Sequence, residues 1–150
     1  MFLDLESTKT VTVAGKDWTV SAVPAGIVAE LTARVGAVVS PVPQGLLVDG
    51  QPAPGREQEW ADLAARRFGQ YLAIHAEWIR WGLRTYRGAG EERTFSGRTF
   101  RLLDADRVEA LLRVNAGALA HDLGRAIHAA NIVSEEEALG FLSPSGAART

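Results

Sequence analysis

The chain has 150 residues, 47% of them hydrophobic and 23% charged, with 15 glycines, 6 prolines and no cysteine. That length suits one domain burying roughly 70% of the surface its unfolded chain exposes. The 16 basic and 18 acidic residues leave a formal charge of −2, without the basic excess of a dedicated nucleic-acid binder. The lack of cysteine excludes disulfides, thiolate metal sites and cysteine nucleophiles together, and fits a reducing cytosol.

The opening "MFLDLESTKT" carries acids early and lacks the basic and apolar regions of a signal peptide, and no stretch approaches the ~18 apolar residues of a membrane span. "KTVTVAGKDWTVSAV" alternates in both arms, with Val11 and Val13 on one face and Trp18, Val20 and Ala22 on one face. Period two on either side of "AGKD" predicts a β-hairpin with a four-residue connection. Pro24 suits a first helical turn, and Ile27, Val28, Leu31 and Val35 follow at helical spacing, so a helix is expected from Pro24 to Val35.

Residues 36–56 hold four of the six prolines and four glycines, which predicts no helix there. A short hairpin around Asp49-Gly50 is conceivable, but Pro52 confines it to an edge or a loop. This Pro/Gly-rich loop is expected to be the most mobile part of the chain, or ordered only by a partner.

From Glu57 to about Leu83, Trp60, Leu63, Ala64, Phe68, Tyr71, Leu72, His75, Trp78 and Ile79 fall three or four apart, the pattern of a central amphipathic helix stopped by Gly82 and "RGAG". "RTFSGRTFRLL" predicts a second short hairpin around Ser96-Gly97, able to pair with the first. Asp104 or Asp106 can cap a third helix, whose stripe runs without a break from Val108 through Leu111, Leu112, Asn115, Leu119, Leu123 and Ile127 to a stop at Asn131. "SEEE" at 134–137 has capping-box spacing and opens a short fourth helix, and residues 143–150 form a flexible tail. The sum is an α+β fold: a mostly helical single domain over 1–150, with an N-terminal β-hairpin, a second short hairpin and about four helices.

Few residues suggest chemistry. His121 and His128 stand seven apart on one helical face, about 10 Å along it, too far to share one metal, with His75 able to join only across a helix interface. Interface packing is the better account of all three. The carboxylates at 91 and 92, Asp104 with Asp106, and Glu135 to Glu137 belong to caps and charged loops rather than to a general acid/base pair. No nucleophile elbow and no phosphate-binding glycine motif is present. The aromatic and arginine-rich stretch "EWIRWGLRTYRGAG" could suit base stacking, but its aromatics follow a helical stripe, so Trp60, Phe68, Tyr71 and Trp78 read as core. Trp81 falls off that stripe, so it faces a second layer or a partner, and it is the expected interface aromatic.

Three stretches, "KTVTVAGKDWTVSAVPAGIVAEL", "WIRWGLRTYRG" and "LGRAIHAANIVSEEEALGFLSPSG", together about a third of the chain, resemble the tail assembly chaperones of long-tailed bacteriophages. The shared features are a hairpin with Gly-Lys at its turn followed by a proline and a helix, a helix ending in Trp-Gly, and a late helix ending in Asn before an acidic box. The resemblance implies a non-enzymatic protein of the host cytoplasm that binds the aggregation-prone tape measure protein, with no cofactor and no catalytic or metal residues, and with neither nucleic acid nor membrane as partner. Trp81, Phe141 and Leu142 are the expected partner-interface residues, and self-association is compatible. The alternative is a structural virion protein, a tail or head-tail joining component; a third reading is a small enzyme or metal-binding protein using His121, His128 and a carboxylate. On this reading Leu111→Ala or Leu123→Ala should destabilise by roughly 2 to 5 kcal/mol in denaturant melts, and Trp81→Ala should cost less than Trp78→Ala.

Overall fold

A computed structural model describes residues 8–84, 92–95 and 97–132. Strands β1 (Thr8–Val13) and β2 (Lys16–Ser21) pair antiparallel, with Val11 opposite Trp18 and Val13 opposite Lys16. Their connection is two residues, Ala14 and Gly15, both at positive φ (55° and 73°), rather than the four expected. Left-handed backbone at both turn positions matches the twist of the strands. The alternation holds: Val13, Trp18 and Val20 are buried, and the Trp18 indole N–H donates to the Val13 carbonyl at 3.1 Å.

Helix α1 (Ala25–Val38) begins one residue later than expected, because Pro24 is its cap: the Pro24 carbonyl accepts from the amides of Ile27 and Val28 at 2.9 and 3.0 Å. It also runs three residues past Val35. A lone glycine such as Gly36 costs a helix about 1 kcal/mol without ending it, whereas Pro41 forces the chain before it toward extended geometry.

The loop that follows makes contacts within the chain. Leu46 is completely buried, and its carbonyl accepts from the Ala53 amide at 2.8 Å. Between them β3 (Leu47–Val48) and β4 (Gln51–Pro52) form the Asp49-Gly50 hairpin, with Pro52 in the outer pair opposite Leu47. Gln70 accepts from the Ser40 amide at 2.8 Å, and Arg67 donates to the Ser40 carbonyl, so the loop is stitched to the next helix.

That helix, α2 (Glu57–Gly82), is 26 residues long and is the spine of the fold. Its stripe does not pack uniformly. Ile74, His75, Trp78 and Ile79 are buried, whereas Trp60, Phe68 and Tyr71, read above as core, are only half-buried. Trp81 corrects the sequence reading in the other direction: it is 5% exposed, edge-on to Phe100 at 5.8 Å, with the Arg93 guanidinium 6.0 Å from its ring. An off-stripe position is surface only if one side of the helix is bare. Here the C-terminal end of α2 is clasped on both sides. Leu83 bridges Val20, the Arg84 amide donates to the Thr19 carbonyl, and the Leu103 amide donates to the Arg80 carbonyl, both at 2.8 Å.

Strands β5 (Glu92–Phe95) and β6 (Arg98–Arg101) form the second hairpin, with Glu92 and Arg101 opposite each other and ion-paired at 2.9 Å. It does not pair with the first; each hairpin is a separate two-stranded sheet. Helix α3 (Ala105–Arg113) is capped by Asp104, whose carboxylate accepts from the Asp106 amide at 3.4 Å. The expected unbroken stripe is interrupted at Val114–Gly117, where Asn115, Ala116 and Gly117 all take positive φ (48°, 54° and 93°) before α4 (Ala118–Asn131). The break swings α4 so that Leu119, Leu123 and Ile127 face the same core as Val108 and Leu111, and Asn115 is left exposed. Asn131 ends α4 as expected. Its side chain accepts from the Val23 amide and donates to the Ile127 carbonyl, both at 2.8 Å, locking the helix end to the start of α1. The segment 134–140, Phe141, Leu142 and the tail 143–150 lie outside the described residues.

Helices α2 and α4 meet through glycines. A Cβ at Gly124 would overlap His75, coming to 2.6 Å from its Cγ, and one at Gly82 would overlap Ile127 Cγ2. Gly69, on the exposed side of α2, has nothing within 4 Å. Gly124→Ala should therefore destabilise by about 1–3 kcal/mol or more through overpacking, while Gly69→Ala stabilises by about 0.5–1 kcal/mol through helix propensity; paired urea melts give the two signs. Trp81→Ala should now cost about 3–5 kcal/mol, as much as Trp78→Ala, because both rings are buried.

Candidate functional site

A groove of about 490 Å³ lies between α1, α2 and α4. Its apolar lining comes from Leu31 and Val35 of α1 and Ile74 and Trp78 of α2, and its polar lining from Tyr71 and His75 of α2 and His121, Arg125 and His128 of α4. Helical periodicity explains the polar lining. His121, Arg125 and His128 stand at i, i+4 and i+7, one face of α4 lying beside its buried face of Leu119, Leu123 and Ile127. The glycine contact then brings that face over α2, where His75 projects toward it.

All three histidines thus meet at one groove, which neither their spacing nor the helical wheel of a single segment shows. The His75 and His121 rings are edge-to-face with centroids 4.7 Å apart, His75 stacks on Tyr71 at 6.1 Å, and His128 lies 5.0 Å from Trp78. The geometry is ring packing rather than ligation: among the described residues no group of three His, Cys, Asp or Glu could hold a metal ion. Phe68 also touches His121, at 5.5 Å.

Electrostatically the site disfavours a charged imidazole. Burial, and then the positive neighbours His121, Arg125 and His128, push His75 down to about 4, with Asp122 pulling weakly the other way. Burial also lowers His128. His75 is 7% exposed, and neither of its ring nitrogens has a hydrogen-bond partner; the same is true of His121 Nδ1.

Of the residues expected at a partner interface, Trp81 lies elsewhere. Trp81 shows only an edge to a separate recess of about 130 Å³ flanked by Glu30, Arg34, Glu77 and Arg93. Phe141 and Leu142 lie outside the described residues. Sequence reading passed over Arg125 and assigned Tyr71 and Trp78 to packing alone; the available signal was the cationic i, i+4, i+7 face of α4. Of the candidate acids, Asp104 caps α3 and Glu92 pairs with Arg101, so neither reaches the groove. No helix among the described residues is long and apolar enough to cross a membrane.

His75 makes a pH prediction with a definite sign. Its pKa falls from an ordinary 6.5 to about 4 on folding. The folded chain therefore binds fewer protons between those values, and stability present above pH 6.5 is lost as pH drops toward 4. At about 1.4 kcal/mol per unit, discounted for solvent at the open side of the groove, the loss is roughly 2–3 kcal/mol. His75→Leu should remove that component, giving a smaller fall in Tm between about pH 7 and about pH 5; an unchanged fall would place the acid sensitivity elsewhere.

Comparison with protein-family models, with curated proteins and with solved structures finds no match for this chain.

Proposed function

We propose that this chain is a non-enzymatic tail assembly chaperone that binds the tape measure protein in the host cytoplasm while a phage tail is built. The observation that carries the proposal is the groove. It is lined by buried Leu31, Ile74 and Trp78 with half-buried Val35 at its edge, and an apolar groove between helices is how proteins receive the bulky residues of an amphipathic helix. A long helical client offers such residues repeatedly. The three segments that resemble tail assembly chaperones support the same reading and include parts of α1, α2 and α4.

The test is co-expression with the long helical protein encoded beside its gene, followed by gel filtration of the soluble fraction. A stable complex is expected. Val35→Glu, which places a charge on the half-buried groove wall, should weaken that complex by about tenfold or more while leaving the far-UV circular dichroism unchanged. An insoluble client and no complex would end the proposal. Stoichiometric recovery of the chain from purified virions would replace it with the structural virion protein, a tail or head-tail joining component.

A further inference from the structure

We infer that the groove selects its partner through a carboxylate: an Asp or Glu on the docking helix is held by Arg125, His75 and His121, and an apolar residue one turn away packs on Val35, Ile74 and Trp78. The inference rests on the protein-binding reading above and specifies the chemistry of the partner.

Its first support is the state of His75. The ring is more than nine-tenths buried and lines the groove, yet both nitrogens lack a hydrogen-bond partner. A buried polar group left that way costs about 1–3 kcal/mol, and native proteins keep few of them. A neutral imidazole carries one N–H, and in His75 that donor lacks an acceptor whichever nitrogen holds it. The ligand must then supply an acceptor.

The second support is the charge of the walls. Facing His75 are Tyr71 from its own helix and His121, Arg125 and His128 from α4, with Asp122 the acid that acts on it among the described residues. Asp122 is itself exposed and does not line the groove. From α1 come Leu31, Thr32 and Val35, none of them titratable. The permanent charge of Arg125 matches a single negative charge, and the apolar lining matches an aliphatic or aromatic neighbour. A phosphate chain would call for several arginines or lysines. A carboxylate placed here also favours protonation of the imidazoles, so binding takes up protons and tightens as pH falls.

The experiment uses the full chain and two synthetic amphipathic helical peptides of about 15 residues, identical except for one Glu or Gln at the centre of a leucine face, with affinity read by fluorescence anisotropy. The Glu peptide should bind at least about tenfold tighter, and its advantage should grow as the pH is lowered from about 7 toward about 5. Arg125→Gln, at an exposed position, should erase the difference without altering the fold. Equal affinity for the two peptides would overturn the inference. So would failure of both peptides while the co-expressed client still forms its complex, an outcome that leaves the protein-binding reading standing. Failure of both peptides and of the client complex would bring down both readings. If 4-phenylbutyrate binds as tightly as the Glu peptide, and with the same dependence on Arg125, the site belongs to a small organic acid and not to a partner helix.

Discussion

The structure depends on the contact between α2 and α4, where two glycines let the helices approach more closely than side chains would allow. Gly124 lies under His75 and Gly82 under Ile127. Gly117, at the hinge before α4, approaches Leu72 so closely that a Cβ would sit 2.7 Å from its Cδ1. Three glycines distributed over the two segments thus define where the helices touch, and interiors this dense leave little room for adjustment. Helices brought so close along one line must part on another. The groove lies along α2 and α4 where α1 completes the far wall.

A second constraint acts at the end of α2. The chain leaving the helix is caught by β2 through the Leu83–Val20 bridge, and the chain entering α3 is caught by the Arg80 carbonyl. Two hairpins too small to be stable alone are held by these contacts and in turn cover Trp18 and Trp81. The loop 40–56 is fastened to the other half of α2 by Gln70 and Arg67. One long helix therefore organises the domain, with its C-terminal half buried and the aromatics of its N-terminal half only partly covered.

The histidine cluster is a consequence of the same geometry. Close packing buries His75 beside two other imidazoles and an arginine, an environment that penalises its charged form. The apolar side chains that line the same recess make the groove amphiphilic.

Much of the fold was legible in local pattern. Period two marked both hairpins, Gly82 and Asn131 marked helix ends, and Asp104 marked a cap, because turns, caps and alternation are properties of neighbours in sequence. The misreadings share a cause. Trp81 was left between a second layer and a partner because a helical wheel shows only which residues share a face, whereas burial depends on what packs there from distant parts of the chain, here Phe100 and the strand before it. The break after α3 escaped notice because three left-handed residues need only one glycine to show for them.

The groove was less legible still. His121 and His128 could be put on one face of α4, but their meeting with His75 needed the crossing at Gly124. By itself the sequence determined the types of element, their order and most of their ends, because backbone preferences act over a few residues. Only the tertiary structure decided which faces are covered and which imidazoles meet, because those follow from contacts between segments some fifty residues apart, such as His75 and Gly124.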